Sequence, residues 1–212
     1  MAAASAIMKI FLNEVGKRFN YDWIFRKVNA TFETPGKYAL LGPNGSGKST
    51  LLQIIAGSVS HSEGKLRLDL LGNEVNERDW HKLISMSAPY MELIEEYTLE
   101  EFLTFHFSFK PALRGLSPLE VARLIQLEHA FKKPIKYYSS GMKQRVRLGQ
   151  AIFADSQLVL LDEPCSNLDK TGIELYQSLV ENYCADRMVV VASNDPAEYY
   201  FCKEVFSMSD YK

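Results

Sequence analysis

A glycine-rich loop between an apolar strand and a helix is the feature that most constrains the fold of this chain. Residues 42–49 read Gly-Pro-Asn-Gly-Ser-Gly-Lys-Ser and fit the pattern G-x-x-x-x-G-K-[ST]. The apolar run 37–41 predicts a strand before the loop, and residues 48–56 predict a helix that stops at Gly57. Such a loop directs backbone N–H groups and the positive end of a helix toward one point. The sequence therefore predicts a phosphate site.

The residue types in this loop predict a nucleoside triphosphate bound together with Mg²⁺. Lys48 is expected to reach the β- and γ-phosphates and to act in catalysis, and the Ser49 hydroxyl is expected to bind Mg²⁺. The loop residues expected to contact the nucleotide are Gly42, Pro43, Asn44, Gly45, Ser46, Gly47, Lys48, Ser49 and Thr50. Kinases of small metabolites carry the same loop, so the loop alone leaves the class of enzyme open.

Composition excludes several classes of function. The 212 residues carry 24 Lys and Arg against 26 Asp and Glu, so the net charge of -2 argues against a nucleic-acid partner. No segment approaches the roughly 20 apolar residues that cross a bilayer. The three cysteines lack metal-like spacing, which favours a reduced, cytoplasmic setting. We expect that any role in transport requires a separate membrane protein.

A second acidic motif follows an apolar run downstream. Residues 158–164 read Leu-Val-Leu-Leu-Asp-Glu-Pro, which predicts a buried parallel strand that ends in two carboxylates. Asp162 is expected to hold Mg²⁺, and Glu163 to orient the attacking water as a catalytic residue. Such a pair often caps a helix or forms a turn, but the phosphate loop upstream favours the functional interpretation.

Residues 138–145, Tyr-Ser-Ser-Gly-Met-Lys-Gln-Arg, lie between these motifs. Here the chain resembles the ATP-binding subunits of ATP-binding cassette (ABC) transporters, whose signature is most often Leu-Ser-Gly-Gly-Gln. It departs from that form at Tyr138, Ser140 and Met142. In the family, the signature of one subunit contacts the γ-phosphate held by another. The resemblance thus implies a homodimer or heterodimer with Ser139, Ser140 and Gly141 at the nucleotide, whereas a simple helix cap is the alternative.

The resemblance extends from about residue 10 to residue 206 and implies the fold. It implies an α/β structure with a P-loop NTPase (RecA-like) core, an N-terminal antiparallel β subdomain and an inserted α-helical subdomain at about 90–137. Residues 1–212 are expected to form a single domain, with 166–169 crossing the dimer interface. Phe19 falls where an aromatic residue stacks on adenine; Tyr21 is equally capable, and packing in the core or hairpin is the alternative.

Two positions break the family pattern. Asn194 stands where the family has a histidine at the γ-phosphate, and asparagine cannot carry a proton or a positive charge. Pro89 stands where the family has a glutamine, and no glutamine lies between Gln53 and Gln126. Asn194 stays among the expected catalytic residues, but we expect hydrolysis to be slow.

Residues 90–109 are rich in aromatic side chains. Three phenylalanines at helical spacing are expected to pack in the core: Phe102, Phe105 and Phe109. In the resembling family, this region receives a short helix of the permease, and the expected contacts are Tyr90, Met91 and Phe107.

The sequence predicts an ATP-binding and ATP-hydrolysing subunit that powers a transmembrane permease from the cytoplasmic face of the membrane. Export is favoured because Tyr-Ser-Ser-Gly-Met-Lys is similar to the variant found in several exporter-type ATPases. A soluble ABC ATPase, a regulator that binds ATP but scarcely hydrolyses it, and a small-metabolite kinase are the alternatives.

Overall fold

The computed structural model describes residues 7–212, and the first part of this range forms an antiparallel sheet. Its four strands are β1 (Met8–Phe19), β2 (Asp22–Glu33), β4 (Glu63–Leu70) and β5 (Asn73–Glu74), in the order β2-β1-β4-β5. Alternate residues of β1 are buried at its start, as expected for a sheet with one face on the core: Met8, Ile10 and Leu12.

A five-stranded parallel sheet forms the centre of the molecule. Its strands are β3 (Lys37–Leu41), β6 (Ile84–Ser87), β7 (Leu158–Asp162), β8 (Met188–Ala192) and β9 (Glu204–Ser207), in the order β6-β7-β8-β3-β9. All residues of β7 and β8 are buried, which explains their unbroken apolar sequences. The carboxyl ends of β3, β7 and β8 lie at the same edge of the sheet, because these strands are parallel neighbours.

Seven α-helices accompany the sheets in the described range of residues 7–212. They are α1 (Lys48–Ile55), α2 (Trp80–Leu83), α3 (Leu99–Phe109), α4 (Pro118–Leu124), α5 (Ser140–Ile152), α6 (Lys170–Tyr183) and α7 (Pro196–Tyr199). Helix α1 contacts β7 and β8, and α5 contacts α3, α4, α6 and β6. Within residues 7–212, none of these helices has the length and apolar character that a membrane crossing requires.

Only some of the aromatic residues of helix α3 are buried in the core. It buries Leu99, Phe102 and Leu103, and Phe107 packs partly against the same cluster. Phe105 and Phe109 are 44% and 76% exposed. The expectation of a core stripe is therefore wrong for Phe105 and Phe109, because the aliphatic residues at 99 and 103 set the buried face.

Candidate nucleotide site

The glycine-rich loop joins β3 to α1 with backbone that only glycine adopts readily. Gly42, Gly45 and Gly47 have φ angles of 147°, 77° and 97°. A Cβ atom at Gly47 would lie 2.6 Å from Cδ1 of Phe25, so β2 leaves no room for a larger residue there. No side chain in the part of the chain that the structure describes caps α1. Residues 44–50 line a cavity of about 250 Å³.

The side chain of Lys48 lies over this loop. Its Nζ donates to the carbonyl oxygen of Gly42 at 2.6 Å and to that of Pro43 at 3.4 Å. Because an ammonium group has three donors, one N–H remains for a ligand. The structure therefore places the positive charge where the sequence predicts phosphate.

Asp162, the last residue of β7, is buried with 2% of its surface exposed. Neither carboxylate oxygen accepts a hydrogen bond from any group in residues 7–212. The hydroxyls of Ser49 and Tyr90 face it without hydrogen-bond alignment, and burial raises the pKa of the carboxyl group. Buried carboxylate oxygens that lack donors are suited to a hard cation, so Asp162 and Ser49 fit Mg²⁺.

Glu163 points away from its buried neighbour. Its φ angle is 42°, and its N–H donates to the carbonyl oxygen of Ala192 at 2.9 Å, which fixes this turn at the end of β8. The side chain is exposed and lines the cavity of the loop. Because Glu163 has a left-handed backbone conformation, its carboxylate lies at the cavity, whereas that of the adjacent Asp162 is buried.

Asn194 follows β8 and contacts the phosphate loop directly. Its Oδ1 accepts a hydrogen bond from the N–H of Gly42 at 3.2 Å, which leaves the amide NH₂ group available as a donor. Asn194 lines a second cavity, of about 380 Å³, together with Asn44 and Glu163. The structure therefore brings Asn194, Glu163 and the loop together.

The signature segment lies at another place on the surface. Helix α5 begins at Ser140, and the Ser139 hydroxyl accepts a hydrogen bond from the N–H of Met142 at 3.2 Å. Ser139, Ser140 and Gly141 line a cavity of about 280 Å³ with Asn167. Among the described residues, this cavity and that of the loop have no lining residue in common. One chain therefore does not bring its signature segment to its own loop.

Phe19 lies at the end of β1, opposite Asp22, and is 49% exposed. The Nζ of Lys17 lies 4.7 Å from the centre of its ring. Tyr21, at the tip of the hairpin, is 93% exposed. Phe19 is thus not a core residue, and its ring is accessible to solvent. It lies at the end of the β1–β2 hairpin, and Phe25 of β2 lies next to Gly47 in the loop.

A groove of about 550 Å³ is lined in part by Gln53 of α1 and by Ile84 and Met86 of β6. Tyr90 and Met91 line it, as does Lys110, whose pKa burial lowers to about 8. Phe107, the third expected permease contact, does not line this groove and lies half-buried against the core of the helical segment. It lies one helical turn after Leu103, a buried residue of α3.

Sequence reasoning missed Glu198. Its buried carboxylate accepts a hydrogen bond from the N–H of Cys165 at 2.7 Å, and burial raises its pKa. This bond ties the segment after Asn194 to the segment after Glu163. The only signal in the sequence is an acid four residues after Asn194, in a short helix that begins with Pro196.

Comparisons with known proteins agree with this geometry. The family model described as ABC transporter matches residues 25–166. The lantibiotic transport ATP-binding protein SrtF of Streptococcus pyogenes is 29% identical over 205 residues, which cover 94% of this chain and 83% of the relative. The cytochrome c biogenesis ATP-binding export protein CcmA of Rhizobium meliloti is 31% identical over 205 residues, which cover 93% of this chain and 97% of the relative.

Solved structures show the same fold at low identity. The ATP-binding cassette MJ0796, a dimer in a post-hydrolysis state bound to ADP and Pi, superimposes with a TM-score of 0.80 at 23% identity, over 93% of each chain. A bacterial Atm1-family ABC exporter with ATP bound gives a TM-score of 0.79 at 16% identity, over 97% of this chain and 38% of the exporter chain. The predicted α/β fold, with an antiparallel N-terminal sheet, a P-loop NTPase core and inserted helices, is confirmed. With two thirds of its length matched by the family model, the chain belongs to the ABC transporter family of ATP-binding proteins.

Proposed function

We propose that this chain binds MgATP and hydrolyses it as the ATP-binding subunit of an ABC transporter. The observation that carries the proposal is the convergence of the phosphate loop, the buried carboxylate of Asp162 and the exposed carboxylate of Glu163 at the carboxyl edge of one parallel sheet. A phosphate-binding loop without an acid beside it would serve binding alone. The pair of acids adds a metal ligand and a base.

Each residue has a distinct role in this proposal. The amides of the loop and Lys48 bind the β- and γ-phosphates, and Ser49 and Asp162 hold Mg²⁺, which neutralises developing charge on the phosphates when bound. Glu163 orients the attacking water and takes its proton. The NH₂ group of Asn194, oriented by Gly42, donates a neutral hydrogen bond to the γ-phosphate. Because this donor carries no charge, we expect slow hydrolysis.

The same proposal requires two subunits. The cavity lined by Ser139, Ser140 and Gly141 is separate from that of the loop, and it offers hydroxyls and the start of α5 to an anion. A second ATP-binding subunit, identical or related, would bring this cavity to the γ-phosphate. Phe19 would stack on adenine, since its ring is accessible at the end of the hairpin beside the loop.

The groove lined by Tyr90 and Met91 is the proposed contact with a transmembrane permease. A permease bound there would hold the chain at the cytoplasmic face of the membrane. Export is the favoured direction, because the relatives SrtF and CcmA are described as acting in lantibiotic transport and in export. The inserted helices, at about 90–137, would form one subdomain of a single domain.

Affinity purification from a detergent extract, followed by a turnover assay with MgATP, tests the proposal. We expect a multi-span membrane protein to co-purify, and phosphate release that is lost in Lys48→Ala. Lys203→Ala, an exposed lysine on another edge of the sheet, is the matched control.

Each alternative gives a different result. Turnover without a membrane partner would support a soluble ABC ATPase. ATP binding without turnover would indicate a regulator. Transfer of phosphate to a metabolite would indicate a kinase and would overturn the proposal.

A further inference from the structure

The shape of the turn that follows Glu163 depends on one peptide bond. The N–H of Ser166 donates to the carbonyl oxygen of Glu163 at 3.1 Å, so Pro164 and Cys165 are the two central residues of a β-turn. The peptide bond between these two residues has opposite orientations in type I and type II turns. Both residues are buried. The orientation of this bond therefore depends on what its carbonyl oxygen and its N–H contact inside the protein.

Both polar groups of this peptide bond are bound by buried side chains. The Nε2 of Gln144, in α5, donates to the carbonyl oxygen of Pro164 at 2.8 Å. The N–H of Cys165 donates to Oε1 of Glu198, in α7, at 2.7 Å. Gln144 is fully buried, and Glu198 is 5% exposed. Because the C=O and N–H of a trans peptide point in opposite directions, α5 and α7 hold this bond from opposite sides.

The two side chains that bind this peptide are themselves held by other elements. The Oε1 of Gln144 accepts from Nη1 of Arg147 at 3.4 Å, and Nε of Arg147 donates to the carbonyl oxygen of Met91 at 2.8 Å. The Gln144 amide therefore has a donor at its oxygen and an acceptor at its nitrogen. On the other side, the Tyr176 hydroxyl of α6 donates to the carbonyl oxygen of Glu198 at 2.7 Å.

The side chain of Glu163 has little contact of its own. Its carboxylate is exposed, and the one hydrogen bond that it accepts from residues 7–212 comes from the Ser166 hydroxyl at 3.5 Å, which is long for a bond between oxygens. The backbone of Glu163 is fixed by its N–H, which donates to Ala192, and by the turn that follows. The direction of the carboxylate is therefore set mainly by the backbone on either side of it.

We propose that Gln144 and Glu198 are positioning residues that fix the peptide bond between Pro164 and Cys165 and thereby hold the Glu163 carboxylate at the cavity of the phosphate loop. This inference rests on the proposed function, in which Glu163 orients the attacking water. Gln144 lines neither of the two cavities that Glu163 lines, so it would act through Glu163 and not on the nucleotide. A peptide bond that is free to rotate would leave the carboxylate away from the water for part of the time.

A double-mutant cycle on the full chain tests the inference, with ATP turnover counted per site that binds a non-hydrolysable ATP analogue. Gln144→Met keeps a side chain of similar length and removes the donor. We expect turnover to fall about tenfold, as for one lost buried hydrogen bond, while affinity for the analogue stays within about twofold. In the Glu163→Gln chain, the same substitution should change the residual turnover by less than about twofold, because no carboxylate remains to be positioned.

Glu198 gives a second arm of the same experiment. Glu198→Leu removes the acceptor and should lower turnover in the same way. Glu198→Gln keeps an oxygen that can accept from the N–H of Cys165, so turnover should stay within about threefold of the wild type. Ser85→Ala, which removes a different buried hydrogen bond to α5, is the matched control and should leave turnover unchanged. Equal losses in Glu198→Gln and Glu198→Leu would overturn the assignment of Glu198.

The cycle separates positioning from a purely structural role. Gln144→Met would overturn the inference, and leave the proposed function intact, if it lowered turnover equally in the wild-type and Glu163→Gln chains or did not lower it at all. Should Gln144→Met fail to fold, Gln144→Asn, whose amide is one methylene short of Pro164, takes its place with the same outcomes. Turnover that does not fall in Glu163→Gln alone would overturn the proposed function and the inference with it.

Discussion

Helices α1 and α5 both begin at the predicted ATP contacts, but they begin in opposite ways. Helix α1 follows Gly47 and has no side-chain cap from any of residues 7–212. Helix α5 is capped by the hydroxyl of Ser139, which accepts from the N–H of Met142. The other helices of seven or more residues in the described range are capped in the same way, by Thr98, Ser117 and Asp169. An uncapped helix start leaves its amides for a ligand.

In the proposed function, this difference separates the site that binds the nucleotide from the surface of a second subunit that completes the site. Helix α1 has no side chain that accepts from its first amides, which a bound phosphate would satisfy, whereas in α5 the Ser139 hydroxyl already accepts from one of them, the N–H of Met142. Because the described residues that line its cavity include none that line the cavity of the loop, the start of α5 would contribute to ATP binding only after two subunits meet. The two helix starts predict different responses to mutation.

The largest effect is expected for Glu163→Gln, which tests whether two helix starts share one nucleotide. Loss of the base should lower turnover about a hundredfold or more. ATP should then persist between subunits, so light scattering with saturating MgATP should show a dimer. Glu74→Gln, on the exposed strand β5, is the control and should behave as the wild type. A Glu163→Gln chain that stays monomeric would show that the starts of α1 and α5 do not share one nucleotide.

The next largest effect is expected from alanine substitutions of Gly47, before α1, and of Gly141, at the start of α5. Gly47→Ala would force a positive φ on alanine and place Cβ 2.6 Å from Phe25, so we expect ATP affinity to fall at least about tenfold by equilibrium binding. A Cβ at Gly141 would lie 3.0 Å from the carbonyl oxygen of Asn167. Gly141→Ala should therefore keep ATP affinity in the monomer and lose turnover. Equal losses of affinity in both variants would contradict the distinction.

Asn194→His tests the donor that is anchored on the phosphate loop. A histidine can donate with a positive charge, and a charged hydrogen bond is stronger by about 1 kcal/mol, so we expect turnover to rise about fivefold. Asn182→His, at an exposed position on α6, is the control. Brisk hydrolysis by the wild type that falls in Asn194→His would refute the assignment of slow hydrolysis to this residue.

The smallest effect is expected from the helix caps. Ser139→Ala and Ser117→Ala should each lower the free energy of unfolding by about 1 kcal/mol in urea titrations, because each removes one cap. Turnover should fall only for Ser139→Ala, since Ser117 begins α4, away from the predicted site. Unchanged turnover in both variants would remove the start of α5 from the ATP site.

Elements with an unbroken apolar run could be predicted from the sequence alone. The run before Asp162 became β7, and the glycine-rich loop lies between β3 and α1 as its pattern predicts. The sequence predicts two early strands at residues 10–15 and 23–32. The structure extends them to Met8–Phe19 and Asp22–Glu33, because the added residues also pair with neighbouring strands. Side-chain periodicity cannot show where such pairing stops.

Strand β6 shows what sequence reasoning missed. Its sequence, Ile-Ser-Met-Ser, breaks the apolar run of a buried strand. The buried hydroxyl of Ser85 lies 2.8 Å from the carbonyl oxygen of Ala151 in α5 and 2.8 Å from the hydroxyl of Ser156, so this polar residue is satisfied by groups distant in the sequence. Such tertiary contacts leave no local pattern.

The strand order has a consequence for how the chain folds. Strand β3, which leads into the phosphate loop, pairs with β8 on one side and with β9 on the other. Both neighbours come from residues 188–207, so the loop gains its lateral support only after about 150 further residues have been synthesised. During translation, the N-terminal hairpin can pair early, whereas a nascent chain that lacks residues 188–207 would leave both edges of β3 unpaired. Competence to bind ATP should therefore arise late in synthesis.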